Sequence, residues 1–237
     1  MALILNLETA TTVCSVSLAK DGVLLALKEL NGDYSHAENL TLFIEDVLHQ
    51  AEVNISALDA IAVSKGPGSY TGLRIGVSSA KGLCYALGKP LIAISTLQHL
   101  ALSVSSGRTA LKILESELQF PLFCPMIDAR RMEVYCAIFD SGNKEIQPIA
   151  AEIIEENSFS NILKSNQLIF FGDGAAKCKV LFSSNKNSFF IDDIVPSAQD
   201  MIVLSEQAFN NGRFEDVAYF EPFYLKDFVA GKKKGDL

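Results

Sequence analysis

The twelve residues Lys65-Gly66-Pro67-Gly68-Ser69-Tyr70-Thr71-Gly72-Leu73-Arg74-Ile75-Gly76 hold four glycines, one proline and one aromatic. The apolar run Ile61-Ala62-Val63 precedes them and reads as the end of a buried strand. Leu73, Gly76, Val77, Ala80, Leu83, Cys84 and Leu87 follow at three- and four-residue spacing, which is one face of a helix. The unit is therefore strand, glycine-rich turn, helix. Gly66, Pro67, Gly68 and Gly72 shape the turn, because glycine admits positive φ and close backbone approach while Pro67 keeps Gly66 out of helical angles. Ser69 and Thr71 are the candidate helix caps. Two readings stay open. Free amides at a helix start attract anions, yet such turns are also glycine-rich for geometry alone. The stretch is no P-loop, since no Gly-Lys-Ser/Thr closes it, and its glycines lack the dinucleotide spacing.

Outward from this turn, the preceding residues open with alternation. Leu3, Leu5 and Leu7 share one side of a strand, Cys14, Val16 and Leu18 one side of a second, and Asp21-Gly22 turns the chain into a third. The link Glu8-Thr9-Ala10-Thr11-Thr12 is short and rich in hydroxyls. Ser35, with Glu38 three residues on, predicts a capping box. The helix it opens has Leu40, Phe43, Ile44, Val47, Leu48 and Ala51 on one face and Leu42, Glu45 and His49 on another. After the glycine-rich unit, residues 90–94 read as a strand and Thr96 opens a helix. A three-strand meander followed by alternating helices and strands predicts a mixed sheet with helices packed on it.

The pattern partly recurs. Strands are expected at 122–128, 134–140, 151–154, 168–171 and 189–192, a short helix at 175–181 and a longer one at 196–210. Residues 105–119 read as a loop followed by a short helix. The boundary falls near residues 101–107, giving lobes at 1–104 and 105–237, with the final segment packing back on the first lobe.

Composition narrows the function classes. The 237 residues are 49% hydrophobic and 20% charged, a globular balance able to bury a core. No apolar run of about eighteen residues suggests a membrane span. A net charge of −8 does not advertise a nucleic-acid face, and Lys232-Lys233-Lys234, the one basic cluster, reads as a solvated end. Five widely spaced cysteines without a Cys-x-x-Cys suggest reduced thiols and a cytoplasmic protein.

The assembled motifs resemble one family. The stretch 65–76 is similar to its central signature and Leu7-Glu8-Thr9-Ala10-Thr11 to its opening motif. Ser35-His36-Ala37-Glu38-Asn39-Leu40 resembles its first helix start, and Ile127-Asp128-Ala129-Arg130-Arg131-Met132-Glu133-Val134-Tyr135 its second-half motif. On these residues the chain resembles the TsaB (YeaZ) family, the dimerisation subunit of bacterial tRNA threonylcarbamoyladenosine synthesis. The resemblance covers most of residues 1–140, with looser echoes at 172–174 and 222–226. It implies an α/β fold of the actin/Hsp70/sugar-kinase (ASKHA) class with two similar lobes. It implies a scaffold role: binding a larger catalytic paralogue, TsaD, with a TsaE-type ATPase joining the pair. tRNA is then met only through the complex, and ATP or ADP is expected only there.

The family's catalytic paralogue carries a His-x-x-x-His metal pair after the strand matching residues 90–94. Here Thr96 and Leu100 occupy those positions, and His99 is displaced from both. No metal site is expected, and His36, His49 and His99 are expected in structural or solvated roles. Phosphate-gripping loops of this fold favour glycine. The opening loop, with Glu8, Thr9 and Thr11, has none, nor has the second at Asp128-Ala129-Arg130. These residues and Asp173, in Gly172-Asp173-Gly174, are vestigial nucleotide-binding candidates only, and no catalytic residue is assigned. Whether Glu8 and Asp128 face each other across a cleft is left open by spacing. Arg74, Ser78, Lys81, Gly82 and Tyr85 form a second face of the helix after the turn. By itself that is an ordinary polar face. With the resemblance, it and Leu42, Glu45 and His49 become the expected partner interface, able to form a homodimer when the partner is absent. The competing reading is a small-molecule kinase or ATPase of the same fold.

Overall fold

Asp21 and Gly22 both take positive φ, 53° and 74°, the geometry of a two-residue hairpin turn. They join β2 (Val13–Lys20) to β3 (Val23–Asn31). In this computed structural model, which describes residues 2–32, 36–107, 118 and 120–226, that hairpin is one edge of a five-stranded sheet. β1 (Leu3–Glu8) lies antiparallel to β2 and parallel to β4 (Ala60–Gly66), and β5 (Leu91–Ser95) continues parallel beyond β4. The order is β3-β2-β1-β4-β5.

A second sheet repeats the scheme with β6 (Leu122–Asp128), β7 (Glu133–Phe139), β8 (Glu145–Ile153), β9 (Leu168–Phe171) and β10 (Ser188–Ile191). Its order is β10-β9-β6-β7-β8, again a meander followed by two parallel strands. β8 begins six residues before the expected 151, because Gln147-Pro148 reads as a strand breaker. An outermost strand tolerates a proline, since one side of it has no ladder to donate to.

Strand alternation sends Leu5 and Leu7 to one face of the first sheet and Ile4 to the other. The Leu5 face is covered by α1 (His36–Gln50) and α2 (Tyr70–Leu87), which bury Leu40, Phe43, Ile44 and Val47, and Val77, Ala80 and Cys84. Each such large aliphatic or aromatic side chain contributes about 1.5–3 kcal/mol by leaving water. The Ile4 face is covered by Met201, Leu204 and Ala208, the last two from α6 (Ile202–Asn210). Conversely, α3 (Thr96–Ser105) follows the first sheet but buries Leu97, Leu100, Ala101 and Val104 against Phe123, Ile127 and Phe139 of the second. The two lobes thus exchange helices.

The helices of the second lobe differ from expectation. Residues 175–181 resolve into a 3-10 turn, Ala176–Cys178, and a single-turn α5 (Lys179–Phe182). Another short helix, α4 (Ser160–Leu163), was not legible. The 196–210 helix starts as a 3-10 turn, Ala198–Met201, because Ser197 caps it by accepting from Gln199 N. The predicted Ser35 cap, the helix expected within 105–119 and the lysines 232–234 lie outside the described residues.

Candidate functional site

The glycine-rich turn meets the opening loop at the carboxyl ends of β1 and β4. Ser69 caps α2, its hydroxyl accepting from Gly72 N at 3.3 Å. The space that the glycines leave open is filled by the chain itself. A Cβ at Gly68 would stand 2.2 Å from Ala10 O, at Gly72 2.1 Å from Thr9 O, and at Gly76 2.3 Å from Thr9 Oγ1. At Gly68 and Gly72 the obstacle is a backbone carbonyl and at Gly76 the buried Thr9 hydroxyl, so no side chain fits without displacing loop 9–10. Thr9 Oγ1 donates to Gly72 O at 2.8 Å and Ser69 N donates to Ala10 O at 2.6 Å. The Ser69 amide and the faces of Gly68, Gly72 and Gly76 are thus given to holding residues 9–10.

Glu8, at the start of that loop, is fully buried. Its Oε1 accepts from Ala10 N at 2.5 Å, and its Oε2 lies 2.6 Å from Nε2 of His99, itself fully buried on α3. His99 is therefore paired with a buried carboxylate, a partner that the sequence did not disclose. Sequence distance hid this, because 91 residues separate the partners and only the meander and helix exchange bring them together. The pair ties α3 to the first-lobe loop. Removing either member would leave the other buried without its partner, which is costly. His36 is also buried, donating from Nε2 to Thr11 O at 2.7 Å, so it staples the start of α1 to the same loop. Thr11 Oγ1 accepts from Val13 N at 3.4 Å.

The second-lobe candidates gather at the matching place, the end of β6. Asp128 Oδ1 accepts from Arg130 N at 2.9 Å and pairs with Lys177, while Asp173 Oδ1 accepts from Asp128 N at 3.0 Å. Gly172 and Gly174 lie tight against the backbone of Met126 and Ile127. Glu8, committed to His99 and Ala10, and Asp128, committed to Lys177 and Arg130, each have local partners. Among the described residues no group of three or more His, Cys, Asp or Glu side chains comes together as a metal cluster would require.

Outside this buried junction lie the two long helices. Leu42, Glu45 and His49 are exposed on α1; Arg74, Ser78, Gly82 and Tyr85 are exposed on α2, with Lys81 half-buried. Tyr85 is 87% exposed. Arg74 and Lys81 are already engaged within the chain: Arg74 Nε donates to Tyr224 Oη at 3.2 Å, and Lys81 Nζ to Ala218 O and Phe220 O.

Two mixed sheets of matching order, exchanged helices and a loop at the end of each central strand define an ASKHA-class α/β protein with two lobes. The family described as "TsaD: tRNA N6-adenosine threonylcarbamoyltransferase" matches residues 32–233. The tRNA threonylcarbamoyladenosine biosynthesis protein TsaB of Escherichia coli is 30% identical over 240 residues, covering 97% of each chain. A tRNA N6-adenosine threonylcarbamoyltransferase of Erythrobacter litoralis is 45% identical over 87 residues, 37% of this chain and 23% of that one. The structure of YeaZ from Pseudomonas aeruginosa superposes with a TM-score of 0.76 at 25% identity, covering 95% of this chain and all of that one. This chain belongs to the TsaB (YeaZ) family, within the wider TsaD-type group.

Proposed function

We propose that the chain is a non-catalytic subunit in the formation of N6-threonylcarbamoyladenosine on tRNA, and that it binds a TsaD-type threonylcarbamoyltransferase through the outer faces of α1 and α2. The observation that carries this reading is the filled glycine-rich turn. Gly68, Gly72 and Gly76 pack against Thr9 and Ala10, and Ser69 N at the start of α2 donates to Ala10 O, so this turn serves the chain's own packing. Glu8 is likewise committed to His99. A chain that has spent these groups on its own packing retains two exposed helix faces as its principal means of action. The name carried by the E. coli relative supplies the pathway.

In this reading the larger paralogue performs the transfer beside the anticodon, a TsaE-type ATPase joins the pair, and both tRNA and ATP or ADP are met only in the complex, in the cytoplasm. Without its partner the same surface closes on a second copy of the chain, as a two-fold contact uses one patch twice. Isothermal titration calorimetry tests the proposal. The expected result is measurable affinity for the TsaD-type subunit, with neither micromolar ATP binding nor turnover by the lone chain. Turnover of a nucleotide by the lone chain would favour a kinase or ATPase instead.

A further inference from the structure

A hollow of about 350 Å³ opens between the lobes, near the lower end of the roughly 300–1,000 Å³ that small-molecule sites occupy. Its first-lobe wall comes from the carboxyl ends of β4 and β5, with Lys65 and Ser95, and from Gln98 in the first turn of α3. Its second-lobe wall is the closed end of the β7–β8 hairpin, where Phe139 and Glu145 are cross-strand partners, with Ile149 further along β8. Phe223 completes the lining. The chain after α6 returns across the first lobe to put it there. Glu215 N donates to Leu91 O at 2.9 Å, and Phe223 N to Lys65 O at 2.8 Å. At Gly66, φ is 106° and a Cβ would stand 2.9 Å from Phe223 O, so the first glycine of the signature makes room for this return.

Among the described residues of the lining, only Lys65 and Glu145 are charged, one of each sign. They do not pair with each other, and neither side chain has a partner among the described residues. The Gln98 side-chain amide is likewise free. Ser95 Oγ accepts from Gln98 N at 3.4 Å, which leaves its O–H to donate. The cation and the free donors thus stand on the first-lobe wall, and the carboxylate stands on the second. Phe139, 2% exposed, Ile149 and Phe223 supply the apolar surface. We propose that this hollow binds a free α-amino acid. Its carboxylate lies against Lys65, Ser95 and Gln98, its ammonium against Glu145, and an apolar side chain against Phe139, Ile149 and Phe223.

The separated charges select that class of ligand. A nucleotide or other phosphate would bring several negative charges to one cation and meet a carboxylate on the facing wall, an arrangement that rejects it. A wholly apolar guest would cover Lys65 and Glu145 without pairing either, at a cost in desolvation. A zwitterion pairs both, through charge-assisted hydrogen bonds, which are the stronger kind. The hollow is also distinct from the loops at Asp128 and Asp173. Asp128 pairs with Val134 at the start of β7, so Phe139 and Glu145 stand at the opposite end of the second sheet. Because Lys65 belongs to the first lobe and Glu145 to the second, the bound amino acid bridges the two. The site requires no partner chain and stands independently of the partner-subunit reading.

Calorimetry of the full chain at neutral pH tests this with three probes of similar shape: L-leucine, L-leucinamide, which lacks the carboxylate, and 4-methylpentanoate, which lacks the ammonium. Leucine is expected to bind at least about tenfold more tightly than either analogue, since each forfeits its charge-assisted bonds at one pole. Glu145→Gln removes the advantage over 4-methylpentanoate, and Lys65→Met removes the advantage over leucinamide. Glu145 is exposed and Met keeps most of the Lys65 stem, so both variants retain the fold. Thermal unfolding gives a second readout. Saturating leucine raises the Tm of the wild type and leaves that of the double variant Lys65→Met/Glu145→Gln unchanged. Equal affinity for the three probes, unaltered leucine affinity in both single variants, or no leucine binding at millimolar concentration overturns the proposal. Each of these results leaves the partner-subunit reading untouched.

Discussion

The two lobes share a sheet order but not a way of covering it. In the first, α1 and α2 run 15 and 18 residues. In the second, the corresponding places hold α4 and α5, four residues each. A sheet face must still be shielded from water, and in the second lobe rings do what long helices do in the first. Phe170 stacks on Phe182 and Phe190 at centroid distances of 5.4 and 5.0 Å, with Phe159 edge-on to Phe170 and Phe182. The longer helices present a second, outward face after the core side is satisfied. The difference is the physical ground for proposing the interaction surface on the first lobe, where helix exceeds what the core needs.

That contrast can be broken by substitution. Phe170→Ala should cost about 3–5 kcal/mol in urea unfolding, because few helical residues stand by to close the cavity. His99→Leu should cost a comparable amount, about 3–5 kcal/mol, by leaving the Glu8 carboxylate buried and unpaired. It should also loosen amides of α3, which a cavity in the aromatic cluster would not do. A smaller loss, about 1–3 kcal/mol, is expected for Gly72→Ala, where the new methyl group must displace the Thr9 carbonyl. Gly82→Ala, only ten residues further along α2, should leave the midpoint unchanged or raise it slightly, since open space surrounds it and alanine favours helix.

The thiols give the least effect and sharpen the comparison differently. Burial pushes Cys14 and Cys84 in the first lobe, and Cys178 in the second, up to about 11. A thiol raised in the folded state stays protonated while the unfolded chain ionises, so the stability it lends is complete below about pH 9 and declines as pH rises towards 11. Alkylation at pH 8 should therefore proceed at the rate of unfolding in both lobes. Faster labelling of Cys178 alone would mean that the short-helix lobe opens locally.

Much of the first lobe was legible because its signals are local. Alternation in 3–8 and 13–20, the Asp21-Gly22 turn and the helical spacing from Leu73 to Leu87 each declare themselves within a few residues. The second lobe reads less well because aromatic packing leaves no period to detect, and because Pro148 sits in an edge strand where its missing donor does no harm. The buried junction was only half readable. The glycines of 66–76 were evident, but nothing nearby discloses that Thr9 and Ala10 fill them. Nor does sequence reveal that His99 meets Glu8, or that Arg74 and Lys81 turn towards residues 218–224. Each depends on contacts across 60 to 150 residues.

Hydrogen exchange of the chain with and without the TsaD-type subunit tests the central claim most directly. The predicted result is slowed exchange in α1 and α2, with α4 and α5 unchanged. Protection confined to the second lobe, with the outer helices of the first untouched, would contradict the assignment of the docking surface.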